Sequence, residues 1–160
     1  MSSESKPVPT LYAWSGGNEA LENLTKAFYK KVGEDNLLKH VFGKMDPNHA
    51  QHVAHFIGEV FGGPKRYTED DKSSHAKMIA HHIGRMLTEE QRKHWMALLL
   101  ETADEVGLPK DPEYRSALVG YLEWGSRLAV INSNASENPV GEGEPMPKWG
   151  WGETGGPYQP

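Results

Sequence analysis

Histidines form the most chemically versatile pattern in this sequence. The stretch SSHAKMIAHHIGRM, residues 73–86, contains His75, His81 and His82, and the stretch DPNHAQHVAHFIGEVF, residues 46–61, contains His49, His52 and His55. A neutral imidazole is the commonest metal ligand in proteins. The chain has no cysteine, which excludes thiolate ligands, disulfides and a cysteine nucleophile. Any metal must therefore be held by nitrogen or oxygen.

Helical spacing selects one histidine in the later stretch. If residues 73–86 form a helix, its apolar face carries Met78, Ile79, His82, Ile83 and Met86. His81 lies about 100° away from His82 around the helix axis, on the polar face with Lys77 and Arg85. We therefore expect His82 to face inward and His81 to face solvent.

The earlier stretch shows the same pattern. Its apolar face carries His49, Val53, Phe56, Ile57 and Val60. We expect His49 to face inward, and His52, His55 and Glu59 to line the other side. Neither apolar face carries an acidic residue that would pair with its inward histidine.

Three interpretations of the inward histidines remain open. In the first, each histidine lies in the core and is bonded to a backbone carbonyl. In the second, the histidines form a zinc site. In the third, a cofactor lies between them. The zinc site is the weaker alternative, because steps of three residues spread His49, His52 and His55 over about a third of the helix circumference. One inward histidine on each of two helices suits a flat apolar cofactor with an axial nitrogen ligand, and haem is such a cofactor.

The elements that position these histidines are predicted to be helices, five in all, with no convincing strand. The first covers about residues 18–32, and a short segment ending at Phe42 follows. Asp46-Pro47 predicts an N-cap and first turn for the second helix, which runs to Phe61 and stops at Gly62-Gly63-Pro64.

The three later helices have similar start signals. Ser73 or Ser74 is expected to cap the histidine-rich helix. Thr88 and Gln91 form a predicted capping box for a helix ending at Val106. Asp111-Pro112 begins the last helix, which reaches about residue 131.

The composition changes at residue 132. We divide the chain into an N-terminal extension at 1–10, a helical domain at 11–132 and a Gly/Pro/Trp-rich tail at 133–160. Composition alone favours a disordered tail. However, Trp149, Trp151 and Tyr158 would give it apolar anchors, and we expect Trp149 or Trp151 to pack on the body or on a second subunit.

Charge and hydropathy narrow the function. A net charge of −5 argues against nucleic-acid binding, which needs a basic face. No apolar run approaches the ~20 residues that span a bilayer, so no membrane association is expected. The N-terminal MSSESKPVPT lacks the apolar segment of a signal peptide, which predicts a cytoplasmic protein.

The motifs together resemble the truncated haemoglobins of group II, which fold as a two-over-two helical sandwich. The matching residues are Phe28-Tyr29, Phe42, GGPKRY at 62–67, HAKMIAHH at 75–82 and Trp95, thirteen residues after His82. The resemblance covers residues 11–132 and leaves the Gly/Pro-rich C-terminal extension unexplained. It implies an all-α, truncated globin-like fold.

The resemblance also implies a haem b site. Carried over by position, His82 would be the iron ligand, and Tyr29, His49 and Trp95 would form the distal pocket. Apolar contacts to the haem would come from Phe42, Val53, Phe56 and Met78. The haem carboxylates would face Arg66, Tyr67, Lys77 and His81.

Such a protein would bind O₂ and other diatomic ligands. Three potential donors near bound O₂ suit holding it for NO or peroxide detoxification, with a reductase as electron donor. A non-catalytic oxygen carrier or a diatomic-gas sensor is the alternative. CO is expected as a further ligand. The sequence leaves open whether the protein forms a homodimer.

Overall fold

The computed structural model describes residues 7–42 and 46–158, and in these residues the chain is helical with no β-strand. The α-helices of this part are α1 (Leu11–Ser15), α2 (Gly17–Glu34), α3 (Lys39–Phe42), α4 (His49–Val60), α5 (His75–Ala80), α6 (Glu89–Glu105) and α7 (Pro112–Ser133). A π-helical turn at Arg66–Asp70 separates α4 from α5, and a 3₁₀ turn at Gly152–Thr154 lies in the tail. None of the helices described is both long and apolar enough to cross a membrane. The all-α prediction is confirmed.

Two pairs of helices enclose the core. Helix α2 packs along α4, α6 packs on α7, and α2 also contacts α6. Between the pairs, Phe28 of α2 meets Trp95 of α6, and Phe61 after α4 meets Tyr121 of α7 at 5.4 Å between ring centroids. The most deeply buried side chains include Leu11, Leu21, Leu24, Phe28, Val32, Leu38, Phe61 and Tyr114.

Three predicted helix starts are confirmed by their caps. The Thr88 hydroxyl accepts a hydrogen bond from the Gln91 backbone N–H at 3.1 Å, and the Gln91 side chain accepts the Thr88 N–H at 2.9 Å. The Asp111 carboxylate accepts the Tyr114 N–H at 3.0 Å, and Ser74 caps α5. Each cap satisfies an N–H that has no partner within its helix.

Two predicted starts are wrong. Helix α1 begins at Leu11, capped by the Thr10 hydroxyl, where we expected no helix before residue 18. Helix α4 begins at His49 rather than at Pro47. The Asp46 carboxylate accepts the N–H of Asn48 at 2.7 Å, so it closes a turn before the helix instead of capping the helix itself.

The histidine-rich helix is shorter than its periodicity predicts. Helix α5 ends at Ala80, so His82 lies on the following turn. Gly84 and Met86 have positive φ angles of 80° and 52°, and Met86 is 71% exposed. The prediction that Met86 continues the apolar face is therefore wrong, because left-handed backbone ends the helical phase before it.

His55 is also placed differently from the prediction. We expected it to face outward, yet it is only 7% exposed. Its Nδ1 lies 2.8 Å from Asp71 Oδ2 and its Nε2 lies 3.8 Å from Glu22 Oε1. Helix α2 and the segment after the π-helical turn cover this side of α4, and their carboxylates satisfy the imidazole.

The glycine pair after α4 has a packing reason. Gly62 has a φ of 91°, a left-handed conformation that ends the helix. A Cβ atom on Gly63 would lie 2.5 Å from the ring of Tyr12, so only glycine lets α1 pack here. The Tyr12 N–H donates to the Phe61 carbonyl at 3.0 Å across the same contact.

The tail packs on the helical body. Trp149 donates its backbone N–H to the Val60 carbonyl at 2.9 Å and its indole N–H to the Ala117 carbonyl at 3.0 Å. Trp151 donates its indole N–H to the Pro9 carbonyl at 2.7 Å. The predicted packing of these two tryptophans on the body is confirmed, whereas Tyr158 is 57% exposed and does not anchor the tail.

Candidate functional site

An aromatic cluster from four helices surrounds the inward histidine of α4. The His49 ring lies edge-on to Tyr29 of α2, with 4.7 Å between ring centroids, and Phe42 of α3 lies 5.6 Å from Tyr29. Phe28 continues the cluster, with its centroid 5.0 Å from that of Tyr29 and 5.7 Å from that of Trp95 on α6. The three residues expected on the distal side, Tyr29, His49 and Trp95, therefore belong to one connected cluster.

The polar atoms of this cluster have no protein partner in the part of the chain that the structure describes. His49 Nε2 is buried without a hydrogen bond, and the Tyr29 hydroxyl and Trp95 indole N–H make none to described residues. Indoles elsewhere in the body do find acceptors, as for Trp14 with Asp111, Trp149 with Ala117 and Trp151 with Pro9. Buried polar groups in native proteins are rarely left unpaired, so the His49 nitrogen in this cluster fits a ligand.

Burial fixes the charge states in the cluster. Burial raises the pKa of the Tyr29 phenol far above its usual range, so its hydroxyl keeps its proton. Burial lowers the pKa of His49, and positive charge on His81 and Arg85 lowers it further. At neutral pH His49 is a neutral imidazole, with one nitrogen that donates and one that accepts.

His82 has the properties of a metal ligand. Burial lowers its pKa to about 4, the Arg85 charge acts in the same direction, and a hydrogen bond with the Met78 backbone opposes them. The ring is therefore neutral at pH 7, with one nitrogen free to bind a metal.

The two inward histidines are coupled electrostatically. A positive charge on His49 lowers the pKa of His82, although the two rings come from α4 and from the turn after α5. His81 is exposed, as predicted, and His82 is partly buried. Helical periodicity thus chose the more buried of His81 and His82, whereas in the earlier stretch it missed His55, which is more deeply buried than His49.

The alternative zinc site finds no support. His52 and His55 both lie beside Asp71, away from the cluster around His49. Among the described residues, no three histidine, aspartate or glutamate side chains converge in a way that could hold a metal. A single axial histidine with a cofactor is the chemistry that this arrangement fits.

Apolar side chains line the same region. Val53 of α4 and Met78 of α5 are partly buried against the core. Phe56 is 8% exposed, and its ring centroid lies 5.1 Å from that of Tyr67. These three side chains, expected to contact the haem, are thus buried or partly buried in the core.

The residues expected near the haem carboxylates differ in exposure. Tyr67 is buried at 3% exposure, and burial raises the pKa of its phenol. Lys77 and His81 are exposed, and Lys77 Nζ donates to the Lys72 carbonyl at 3.1 Å. The structure thus leaves two exposed cationic or titratable groups and one buried hydroxyl for this role.

Three further polar groups stand out, of which sequence reasoning gave a haem role to Arg66 but none to His75 or Arg85. Arg66 Nε and His75 Nδ1 are buried without a partner. His75 shares the helical face of His82, which was the available signal for it. Arg85 donates to the carbonyls of His81 and Val41, the latter at 2.8 Å. No local pattern points to the Val41 contact, because it joins residues 44 positions apart.

The family model described as "Bacterial-like globin" matches residues 10–124. The chain belongs to this family. Among curated relatives, the Group 2 truncated hemoglobin YjbI of Bacillus subtilis is 31% identical over 121 residues, covering 76% of this chain and 89% of the relative.

Solved structures agree with this assignment. The truncated oxygen-avid haemoglobin of Bacillus subtilis has 30% identity and a TM-score of 0.66, with 76% of this chain and 99% of that chain covered. The Group II truncated hemoglobin of Bacillus anthracis has a TM-score of 0.68 and covers 86% of this chain and 99% of its own, although its 22% identity supports the fold alone. The resemblance to group II truncated haemoglobins is confirmed.

A truncated haemoglobin binds haem, and this one binds O₂ and related diatomic ligands as its family does. The residues described above fit that cofactor. The polar groups that a haem and its ligand require include the His49 nitrogen without a partner among the described residues, the protonated Tyr29 phenol, the Trp95 indole and a neutral His82.

Proposed function

We propose that His82 ligates the haem iron and that Tyr29, His49 and Trp95 hold the diatomic ligand on the opposite side. The observation that carries the proposal is the buried His49 Nε2, which has no partner among the described residues and lies in one aromatic cluster with Tyr29 and Trp95. The neutral state of His82 and its backbone hydrogen bond support its role as the ligand. His81 is exposed, which makes it the weaker candidate.

The haem supplies an iron centre that binds and polarises O₂. The protein supplies hydrogen-bond donors: the Tyr29 hydroxyl, the Trp95 indole N–H and one nitrogen of His49. A hydrogen bond to a charged group contributes about 1.5–3 kcal/mol, so these donors slow ligand escape by one to several decades. The relative described as oxygen-avid supports the same behaviour here.

Slow release of O₂ suits a reaction better than transport. Conversion of NO to nitrate consumes NO, O₂ and one electron, and reduction of hydrogen peroxide to two water molecules consumes two electrons and two protons. Both reactions need an external electron donor, so we propose a reductase as partner. The proposed role is NO or peroxide detoxification in the cytoplasm.

The remaining side chains are proposed to hold the haem. Residues 11–132 would form the haem domain, and its apolar contacts would come from Phe42, Val53, Phe56 and Met78. Tyr67, Lys77 and His81, together with Arg66 and His75, would face the two carboxylates. A homodimer stays a prediction that sedimentation of the haem-loaded protein can test.

Ligation can be tested with adjacent substitutions. His82→Gly should lose most haem affinity or show a ferrous spectrum that added imidazole restores. His81→Gly and His75→Gly are the matched controls and should keep the spectrum of the original protein. Loss of the axial ligand in His81→Gly but not in His82→Gly would overturn the assignment.

The reaction can be tested by mixing the O₂-loaded protein with NO. Nitrate should form in a one-to-one ratio with NO consumed, and an added reductant should sustain turnover. The alternative function, a carrier or gas sensor, is favoured by one contact: the Asn138 side chain in the tail donates to the Ala76 carbonyl of α5 at 2.8 Å. Absence of nitrate, with ligand-dependent hydrogen exchange in the tail, would support the sensor.

A further inference from the structure

Ser133, the last residue of α7, binds the turn that follows α5. Its carbonyl accepts the backbone N–H groups of Gly84 at 3.0 Å and Met86 at 3.2 Å. Its hydroxyl accepts the N–H of Leu87 at 2.9 Å and donates to the Val130 carbonyl at 2.8 Å. The residue is 0% exposed, so these bonds are shielded from water. The backbone carbonyl and the hydroxyl of this one residue therefore accept hydrogen bonds from three N–H groups of a single turn.

The turn needs such support. Gly84 and Met86 both adopt left-handed backbone conformations, with φ angles of 80° and 52°. For a residue with a side chain this conformation is unfavourable, and it persists where the surroundings determine it. The Met86 side chain is 71% exposed and gains little from packing. The contact that supports its backbone conformation is therefore the hydrogen bond from its N–H to the Ser133 carbonyl.

His82 belongs to the start of the same turn. Helix α5 ends at Ala80, so His82 lies outside the regular helix. His82 instead sits two residues before Gly84, its N–H donating to Ile79 at 2.9 Å and its carbonyl accepting from Arg85 at 3.2 Å.

We propose that Ser133 is a positioning residue for His82: by binding the N–H groups of residues 84, 86 and 87, it sets the orientation of the imidazole that ligates the iron. This inference rests on the proposed ligation by His82. Ser133 lies 51 positions from His82 in the sequence, and its bonds to this region are to residues 84, 86 and 87, so it acts through the turn.

A second contact from the same end of α7 supports the idea. The Asn138 side chain donates to the Ala76 carbonyl at 2.8 Å, at the start of α5. Both sides of the segment that carries His82 are thus bonded to the end of α7 and the residues after it. Movement of the segment would require these bonds to break together.

The test compares two serines on the same helix. Ser133→Ala deletes the hydroxyl that accepts the Leu87 N–H. Ser126→Ala is the matched control, because Ser126 is also buried, at 7% exposure, and accepts a hydrogen bond from Arg92 of α6 at 3.2 Å. Both changes should lower the melting temperature, so stability alone does not separate them.

Three readouts do separate them. In Ser133→Ala the iron–histidine stretching band of the ferrous protein should shift and broaden, and haem loss to an acceptor globin should accelerate about fivefold, as expected for one hydrogen bond. In the haem-free protein, exchange of the Leu87 amide hydrogen should rise by a similar factor. Ser126→Ala should change none of the three, and Ser133→Thr, which keeps the hydroxyl, should retain the original band.

The outcomes that would refute positioning by Ser133 differ from the outcome that would refute iron ligation by His82. An unchanged band and haem-loss rate in Ser133→Ala, or equal changes in Ser126→Ala, would refute positioning by Ser133. A band in Ser133→Thr displaced as far as in Ser133→Ala would refute it as well, and this variant decides the matter if Ser133→Ala does not fold. Normal haem binding by His82→Gly would refute the proposed ligation instead.

Discussion

Replacement of Trp95 by phenylalanine tests whether the protein holds O₂ or only carries it. The phenyl ring keeps the edge-on contact with Phe28, now 5.7 Å between ring centroids, and removes only the indole N–H. That N–H has no acceptor in the described part of the chain, so the variant leaves no carbonyl or carboxylate unpaired there. Loss of one hydrogen bond to a partly charged ligand costs about 1.5–3 kcal/mol, and a factor of ten corresponds to about 1.4 kcal/mol. We therefore expect the O₂ dissociation rate to rise at least about tenfold.

Stopped-flow measurement of O₂ release gives this rate directly. CO is a poorer hydrogen-bond acceptor, so its dissociation should change much less. Tyr29→Phe should act in the same direction, and the double variant should show a non-additive effect because both donors face one ligand. The matched control is Trp149→Phe, which removes an indole N–H bonded to the Ala117 carbonyl on α7 and should lower stability without changing O₂ release.

The refuting result is specific. Small and equal changes in the O₂ and CO rates of Trp95→Phe would mean that the indole serves only as packing. The carrier interpretation would then be preferred to detoxification. A Trp149→Phe variant that releases O₂ as fast as Trp95→Phe would show that the effect comes from general loosening of the fold.

Three further predictions concern stability. Met86→Gly should raise the free energy of unfolding by about 0.5–1 kcal/mol in denaturant titrations, because Met86 has a φ of 52° and its side chain is 71% exposed; a loss of stability would contradict this. The hydrogen bond with His94 holds the pKa of Asp35 below its usual 3.8, so its contribution is complete above pH 3.8 and is lost as the pH falls; Asp35→Asn should lower stability at pH 7 by about 0.5–1 kcal/mol and weaken the acid dependence. Truncation after Asn138 removes both packed tail tryptophans and should lower the melting temperature by about 4–10 °C, the effect of a few kcal/mol in a chain of this size; an unchanged melting temperature would show that their contacts contribute nothing.

Periodicity and caps predicted much of the fold because both are local. The Thr88–Gln91 box and the Asp111 cap each act within one helical turn, and the structure confirms both. The choice of His82 over His81 was also correct for burial, although α5 ends two residues before His82. The backbone still turns in the right-handed sense at His81, whose φ is −65°, so the helical phase survives just far enough.

The failed prediction for His55 depends on distant partners. His55 is buried because Glu22 and Asp71 approach it from other elements, and no pattern within α4 encodes that. Ser133 is similar, since its bonds reach 46 positions back to Leu87. The roles of Tyr29, His49 and Trp95 came from the family resemblance, because plain packing is the ordinary explanation for buried aromatics.

The tryptophan contacts of the tail make it an intramolecular ligand of the helical body. Trp149 and Trp151 bind carbonyls of Val60, Ala117 and Pro9, while the connecting residues 134–148 contribute few buried side chains. A short tether gives such a segment an effective concentration in the millimolar range, so even weak intrinsic affinity keeps it bound. If the tether were cut between Pro139 and Pro145, the two pieces would separate on dilution, and the melting temperature would come to depend on protein concentration. A synthetic peptide of residues 146–158 would then compete for the same surface and restore the lost stability.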